Sequence, residues 1–171
     1  MAKIRIDLDQ LAVALSDHDF EWILDTETGN IIMPDWVRDA EFPDELGLAV
    51  DADGEVDDEA ADALLDSGRF IDIDPIGSDE GFRWMERFAT SQPDPHVRER
   101  LLDALDRPRP FRRFRDALRQ FPQVRDAWER HEGEKLREAA REWLAYHEID
   151  AELVPAPPPS GTSASPHQTQ Q

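Results

Sequence analysis

Three groups of residues have the types and spacing that chemistry needs. The first is the acidic run Asp51-Ala52-Asp53-Gly54-Glu55-Val56-Asp57-Asp58-Glu59-Ala60-Ala61-Asp62. Asp51, Asp53, Glu55, Asp57 and Asp62 fall at positions 1, 3, 5, 7 and 12 of a calcium loop. Gly54, however, stands at the fourth position instead of the sixth, and the last residue is Asp where a longer bidentate Glu belongs. A solvated acidic loop leading into a helix explains the same residues without an ion. The second group is the arginine series Arg107, Arg109, Arg112, Arg113, Arg115 and Arg119, interrupted by one acid, Asp116. Arg112, Arg115 and Arg119 are three and four apart and share one helix face. They could bind phosphate, nucleotide or an RNA backbone, or pair with acids of the same molecule, and the charge balance favours self-pairing. The third group is Asp72, Asp74, Asp79 and Glu80, at a strand end and the following helix start. Brought together, these carboxylates could hold a divalent ion for metal-assisted hydrolysis or act as an acid/base pair. Against that, Asp72 alternates with apolar neighbours, and Asp79 and Glu80 suit the positive end of a helix.

Histidine adds little. His18, His96, His131, His147 and His167 show no HExxH spacing, and no serine stands in a nucleophile-elbow context. His131, three residues after Trp128, reads as a half-buried packing residue, and the five tryptophans read as core. With no cysteine, the chain has no disulfide, thiolate nucleophile or Cys-ligated metal.

The 171 residues carry 39 acids and 19 bases, for a net charge of −20. Residues 1–80 hold four bases (Lys3, Arg5, Arg38, Arg69) and 24 acids, while residues 81–171 hold 15 of each. The balance argues against a uniformly basic nucleic-acid binder and against adsorption to anionic membranes, but leaves room for a local anion site on the 112–119 helix. No apolar run reaches the length of a membrane span and no signal-peptide core is visible, so a cytoplasmic protein is expected.

The elements that must position these groups follow from periodicity. Ile4 and Ile6 alternate in a short strand over Lys3–Asp7. Asp7 and Gln10 then form a capping-box pattern before a helix with Leu8, Leu11 and Leu15 on one face. Phe20 to Asp25 and Asn30 to Met33 form a hairpin, with Gly29 at the left-handed position of its turn. Residues 34–57 are read as loops with short pieces, anchored by Trp36, Val37, Phe42, Leu46 and Leu48. A helix over Asp57–Ser67 stops at Gly68, and Arg69–Ile73 alternates as a strand. From Ser78, which can cap a helix, four helices follow. Their apolar faces carry Phe82, Trp84, Met85 and Phe88; Val97, Leu101 and Leu105; Phe111, Phe114 and Leu118; and Val124, Trp128, Leu136, Ala139 and Trp143, with Tyr146 at the end. The segment 155–171 has five prolines and no Asp, Glu, Lys or Arg, and reads as a disordered tail.

RFIDIDPIGSDEGFRWMERF at Arg69–Phe88, FRRFRDAL at Phe111–Leu118, REWL at Arg141–Leu144 and the hairpin EWILDTETGNII together resemble the bacterial uncharacterised protein family numbered zero-one-five-eight. The likeness covers about residues 3–148. It implies a bacterial protein and transfers no activity, cofactor or catalytic residue.

The expected fold is α+β: an N-terminal helix and small antiparallel sheet packed against a C-terminal bundle of about four helices. One domain is expected over 1–154, with an acidic α/β part over 1–77 and a helical part over 78–154. The expected function is a non-enzymatic interaction or regulatory protein with an unidentified protein partner and no cofactor. The alternatives are an RNA- or phosphate-binding module using Arg112, Arg115 and Arg119, and a metal-assisted hydrolase using Asp72, Asp74, Asp79 and Glu80.

Overall fold

The computed structural model describes residues 3–40 and 43–154. Phe42 and the proline-rich segment 155–171, read above as an anchor and a tail, lie outside the described residues. Strand β1 (Ile4–Asp7) runs directly into helix α1 (Leu8–Ser16) through the expected cap: the Asp7 carboxylate accepts from the backbone N–H of Asp9 and Gln10. The hairpin is formed by β2 (Trp22–Asp25) and β3 (Ile31–Ile32), shorter at both ends than the alternation suggested. Two short helices, α2 (Pro34–Arg38) and α3 (Pro43–Leu46), occupy part of the stretch read as loops. Helix α4 (Asp58–Leu65), capped by Asp57, leads to β4 (Phe70–Ile73). Four helices follow: α5 (Ser78–Thr90), α6 (Pro95–Leu105), α7 (Pro110–Leu118) and α8 (Pro122–Tyr146). Each of the last three has proline in its first turn, where the missing N–H costs nothing.

The fold is α+β, with one feature the periodicity did not disclose. A fifth strand, β5 (Ala151–Val154), pairs in parallel with β1, placing Ile4 opposite Ala151 and Asp7 opposite Val154. Glu148, at φ 55°, takes the left-handed conformation that reverses the chain out of α8. The two ends of the described chain are thereby joined.

The second sheet is antiparallel with order β3-β2-β4. Ile23 and Leu24, adjacent and on opposite faces of β2, are both buried, so this sheet is covered on two sides. Leu24 and Ile73 pack with Leu11, Leu15, Ala140 and Leu144 of α1 and α8. Ile23 packs with Val37, Leu48 and Ala61 on the other side. A separate core joins the C-terminal helices through Trp84, Phe88, Leu101, Phe114 and Trp128. Burying a side chain of this size contributes roughly 1.5–3 kcal/mol.

Three local expectations are corrected. Ser78 is the first helical residue and not the cap; Gly77 occupies the cap position and offers no side chain to bond the free N–H groups. Tyr146 is 83% exposed and Trp36 48% exposed, so neither belongs to the core. Both sit on short or terminal helical turns that cannot bury two opposite faces. No described helix is long and apolar enough to cross a membrane.

Candidate functional site

Asp72, Asp74, Asp79 and Glu80 are all exposed. Asp72 lies opposite Ile23 in the β2–β4 ladder, while Asp79 and Glu80 lie in the first turn of α5. Among the described residues, no three His, Cys, Asp or Glu side chains are grouped to hold a metal ion. In the 51–62 run the Asp51 carboxylate accepts from the N–H groups of Asp53 and Glu55, each at 2.9 Å, and Asp57 caps α4. Both carboxylates serve the backbone.

Arg112, Arg115 and Arg119 are exposed along α7, whose apolar stripe buries Phe114 and Leu118. They do not converge. Arg112 borders a shallow depression with Arg109, Arg113 and Asp116, Arg115 turns to a different cleft, and Arg119 lies 3.8 Å from Asp116 of its own helix. The expected pairing of these arginines with the acidic half is absent among the described residues, because burial of the Phe114–Leu118 stripe turns the basic face to solvent. The halves are instead tied by Arg137 to Asp9 at 2.7 Å, Lys3 to Asp150 at 3.0 Å and Arg5 to Glu152 at 3.2 Å.

The cleft reached by Arg115 encloses about 290 Å³. Its apolar wall is built from Trp84 of α5, Phe114 and Phe111 of α7, and Trp128 and Leu136 of α8. The end of α1 closes one side with Leu15 and His18. Ile76 donates its N–H to the Leu15 carbonyl at 2.8 Å, which fixes the Ile76-Gly77 segment at the mouth. From there α5 starts with its first turn on the cleft, and Gly77, Ser78 and Gly81 all line it. No side chain caps this helix; the Glu80 and Gly81 N–H groups donate to the Gly77 carbonyl, which leaves the N–H groups of Ser78 and Asp79 for an anion, beside the first-turn carboxylates of Asp79 and Glu80. Gly81 makes the close approach of Phe111 comfortable: a Cβ there would stand 3.4 Å from the ring.

Glu132 of α8 lines the same cleft. Burial pushes its carboxyl above the ordinary value, Arg115 pulls it down, and Glu129 adds to the rise; the balance is upward. Among the described residues Glu132 makes no salt bridge. An aromatic recess, a guanidinium, an uncapped helix start and a carboxyl held toward its neutral form thus meet in one place, a combination suited to a small ligand with an apolar body and an anionic end. Arg115 was visible in the sequence as one of three arginines on a face. Glu132 was not, since nothing local separates it from the other acids of α8.

His131, next to Glu132, packs its ring 5.6 Å from Phe88 and 5.9 Å from Trp128. It is half-buried, as expected, and its Nε2 is buried without a hydrogen-bond partner.

Residues 2–156 match the sequence model of an uncharacterised protein family, UPF0158. A Pseudomonas aeruginosa protein named UPF0158 protein PA5073 is 31% identical over 169 residues, which cover 97% of this chain and 95% of that protein. No solved structure matches the chain.

Proposed function

The chain belongs to the uncharacterised protein family UPF0158, and from that premise we propose that it is a non-enzymatic regulatory protein whose cleft binds a small amphipathic anion. The observation that supports this reading is the convergence of Arg115, the uncapped start of α5 and Glu132 on one recess walled by Trp84, Phe111 and Trp128. The guanidinium and helix N–H groups take the charged end, and the aromatic wall takes the apolar body. Because the recess is bounded by α1 on one side and by α5, α7 and α8 on the other, an occupant bridges the N-terminal part and the helical part. Binding then changes how firmly the two are held, which is the property a regulatory protein passes to a partner.

The test is thermal denaturation of the full chain with a medium-chain fatty carboxylate, an aromatic carboxylate such as indole acetate, and inorganic phosphate. An amphipathic carboxylate at about 100 times its dissociation constant adds about 2.7 kcal/mol and a measurable rise in Tm. R115A reduces that rise, while phosphate alone, with no apolar body, produces little. If all three leave the Tm of the protein unchanged, the proposal fails.

A further inference from the structure

A second recess, of about 440 Å³, lies between α1, the β2–β3 hairpin and α2. Its aromatic floor is Trp22 and Trp36, edge to face with ring centroids 6.0 Å apart. The Trp22 indole donates to the Asp17 carboxylate at 2.9 Å, which fixes that ring. The Trp36 indole N–H makes no hydrogen bond among the described residues. Val13, exposed on α1, and Ile31 complete the apolar surface. Two acids stand at the rim, and both are engaged. Asp7 accepts from the N–H groups of Asp9 and Gln10, and Asp9 is held by Arg137 at 2.7 Å. The groove therefore selects an occupant with apolar bulk and free backbone carbonyls, not a basic one.

The topology supplies such a segment. Val154, the last described residue, stands opposite Asp7 in the parallel register of β1 and β5, and Asp7 is itself a rim residue. The chain thus leaves β5 at the mouth of the groove, and its next residues are Pro155-Ala156-Pro157-Pro158-Pro159. A proline run favours the polyproline II helix, which leaves every carbonyl unbonded and presents rings to aromatic grooves. Distances agree as well. From Asp7 to Val13 the helix rises about 9 Å, and five polyproline residues extend about 15 Å. No slack is needed.

We propose that Pro155–Pro159 seats in the Trp22–Trp36 groove of its own chain, with proline rings against the two indoles and the Trp36 N–H donating to a proline-segment carbonyl. A tether of this length keeps the segment at an effective concentration on the order of millimolar, so modest affinity suffices.

The experiment uses the full chain with Pro155, Pro157, Pro158 and Pro159 replaced by Ser, following the indole N–H signals of the tryptophans by nuclear magnetic resonance, with W36F to assign Trp36. The expected result is a shift of the Trp36 signal on substitution, equal at all protein concentrations, with the Trp84 and Trp128 signals unmoved. A synthetic peptide spanning residues 155–160, added to the substituted chain, restores the original position. An unmoved Trp36 signal overturns the proposal. So does a shift that vanishes on dilution, which would place the segment of a second copy in the groove.

Discussion

Asp25 and Arg69, separated by 44 residues, meet as a two-point ion pair: Arg69 Nε and Nη2 each donate to a separate Asp25 carboxylate oxygen at 2.8 Å. The carboxylate is 1% exposed and the guanidinium 12%. Asp25 ends β2 and Arg69 precedes β4, so the pair clamps the same end of the two strands that share Ile23↔Asp72 and Leu24↔Ile71. Asp25 also accepts the backbone N–H of Glu27 and so shapes the hairpin turn. Arg69 has a second partner in Glu27, at 3.2 Å, and lies over the Phe70 ring.

That asymmetry predicts unequal costs. R69A leaves a nearly inaccessible carboxylate without its cation and should destabilise by about 3–5 kcal/mol, the range for breaking a buried pair. D25A leaves a guanidinium that still reaches Glu27 and water, and should cost less. Urea unfolding of the two variants measures the order, and equal losses would show that the pair is symmetric after all.

The same pair sets an acid limit. Burial raises the Asp25 carboxyl, but hydrogen bonds from Arg69, Thr28 and the Glu27 N–H, with the Arg69 charge, outweigh it and leave it below the ordinary 3.8. The unfolded chain binds this proton more readily, so the contribution of the pair is complete above that ordinary value and is lost as pH falls through the folded one. Stability measured from neutral to strongly acidic pH should show this loss in the parent protein. In R69A the carboxylate has lost the partner that lowers it, so the acid limb should be shallower.

Gly29 makes a sharper claim about the hairpin. Its φ is 80°, and a Cβ at this position would overlap the carbonyl oxygen of Arg5 in β1. Gly68 has φ 85° with open space around it. G68A should therefore cost about 1 kcal/mol, the penalty of the left-handed backbone alone. G29A adds a collision with a strand and should cost more than about 2 kcal/mol. Thermal unfolding of both variants separates conformational strain from the close approach.

These relationships mark where sequence reading stops. The Asp7 cap and the left-handed Gly29 were legible because each depends on residues within a few positions. The four C-terminal helices were legible for the same reason, their stripes being regular. The β1–β5 pair was not: Ile4 meets Ala151 across almost the whole chain, and four residues of weak alternation carry no record of a distant partner. Ile23, on the face of β2 opposite Leu24, is buried because Val37 of α2 and Ala61 of α4 cover it, a relationship that no local alternation records. Arg115 was identified by its spacing, but its separation from Arg112 into a different recess depends on where α8 lies. The uncapped start of α5 was misread because Ser78 is a good cap residue by type, and only the backbone shows that Gly77 holds that position.

His131 offers a test of packing against polarity. Its Nε2 is buried and unbonded, and leaving such an atom without a partner costs about 1–3 kcal/mol. H131L keeps an apolar group of similar size against Phe88 and Trp128 and removes the unpaired atom. Its Tm should equal or exceed that of the parent protein. A clear fall would mean that the ring's stacking on those two aromatics outweighs the lost hydrogen bond.

Glu132 connects stability to the cleft. Its carboxyl is raised above the ordinary value of 4.5, first by burial and then by Glu129, against the pull of Arg115. The folded state thus holds this proton more tightly than the unfolded chain does. The associated stability is fully present below the ordinary value and is lost as pH rises through the folded one. E132Q, neutral at every pH, should match the parent in acid and exceed it in stability near neutrality. The anion proposed for the cleft should follow the same titration: an ionised Glu132 repels it, so its affinity for the parent falls as pH rises, while E132Q keeps the tighter binding. Titration calorimetry with indole acetate across that range reads both effects on one curve. A parent and an E132Q variant with the same pH profile would place the bound carboxylate away from Glu132 and remove this residue from the site.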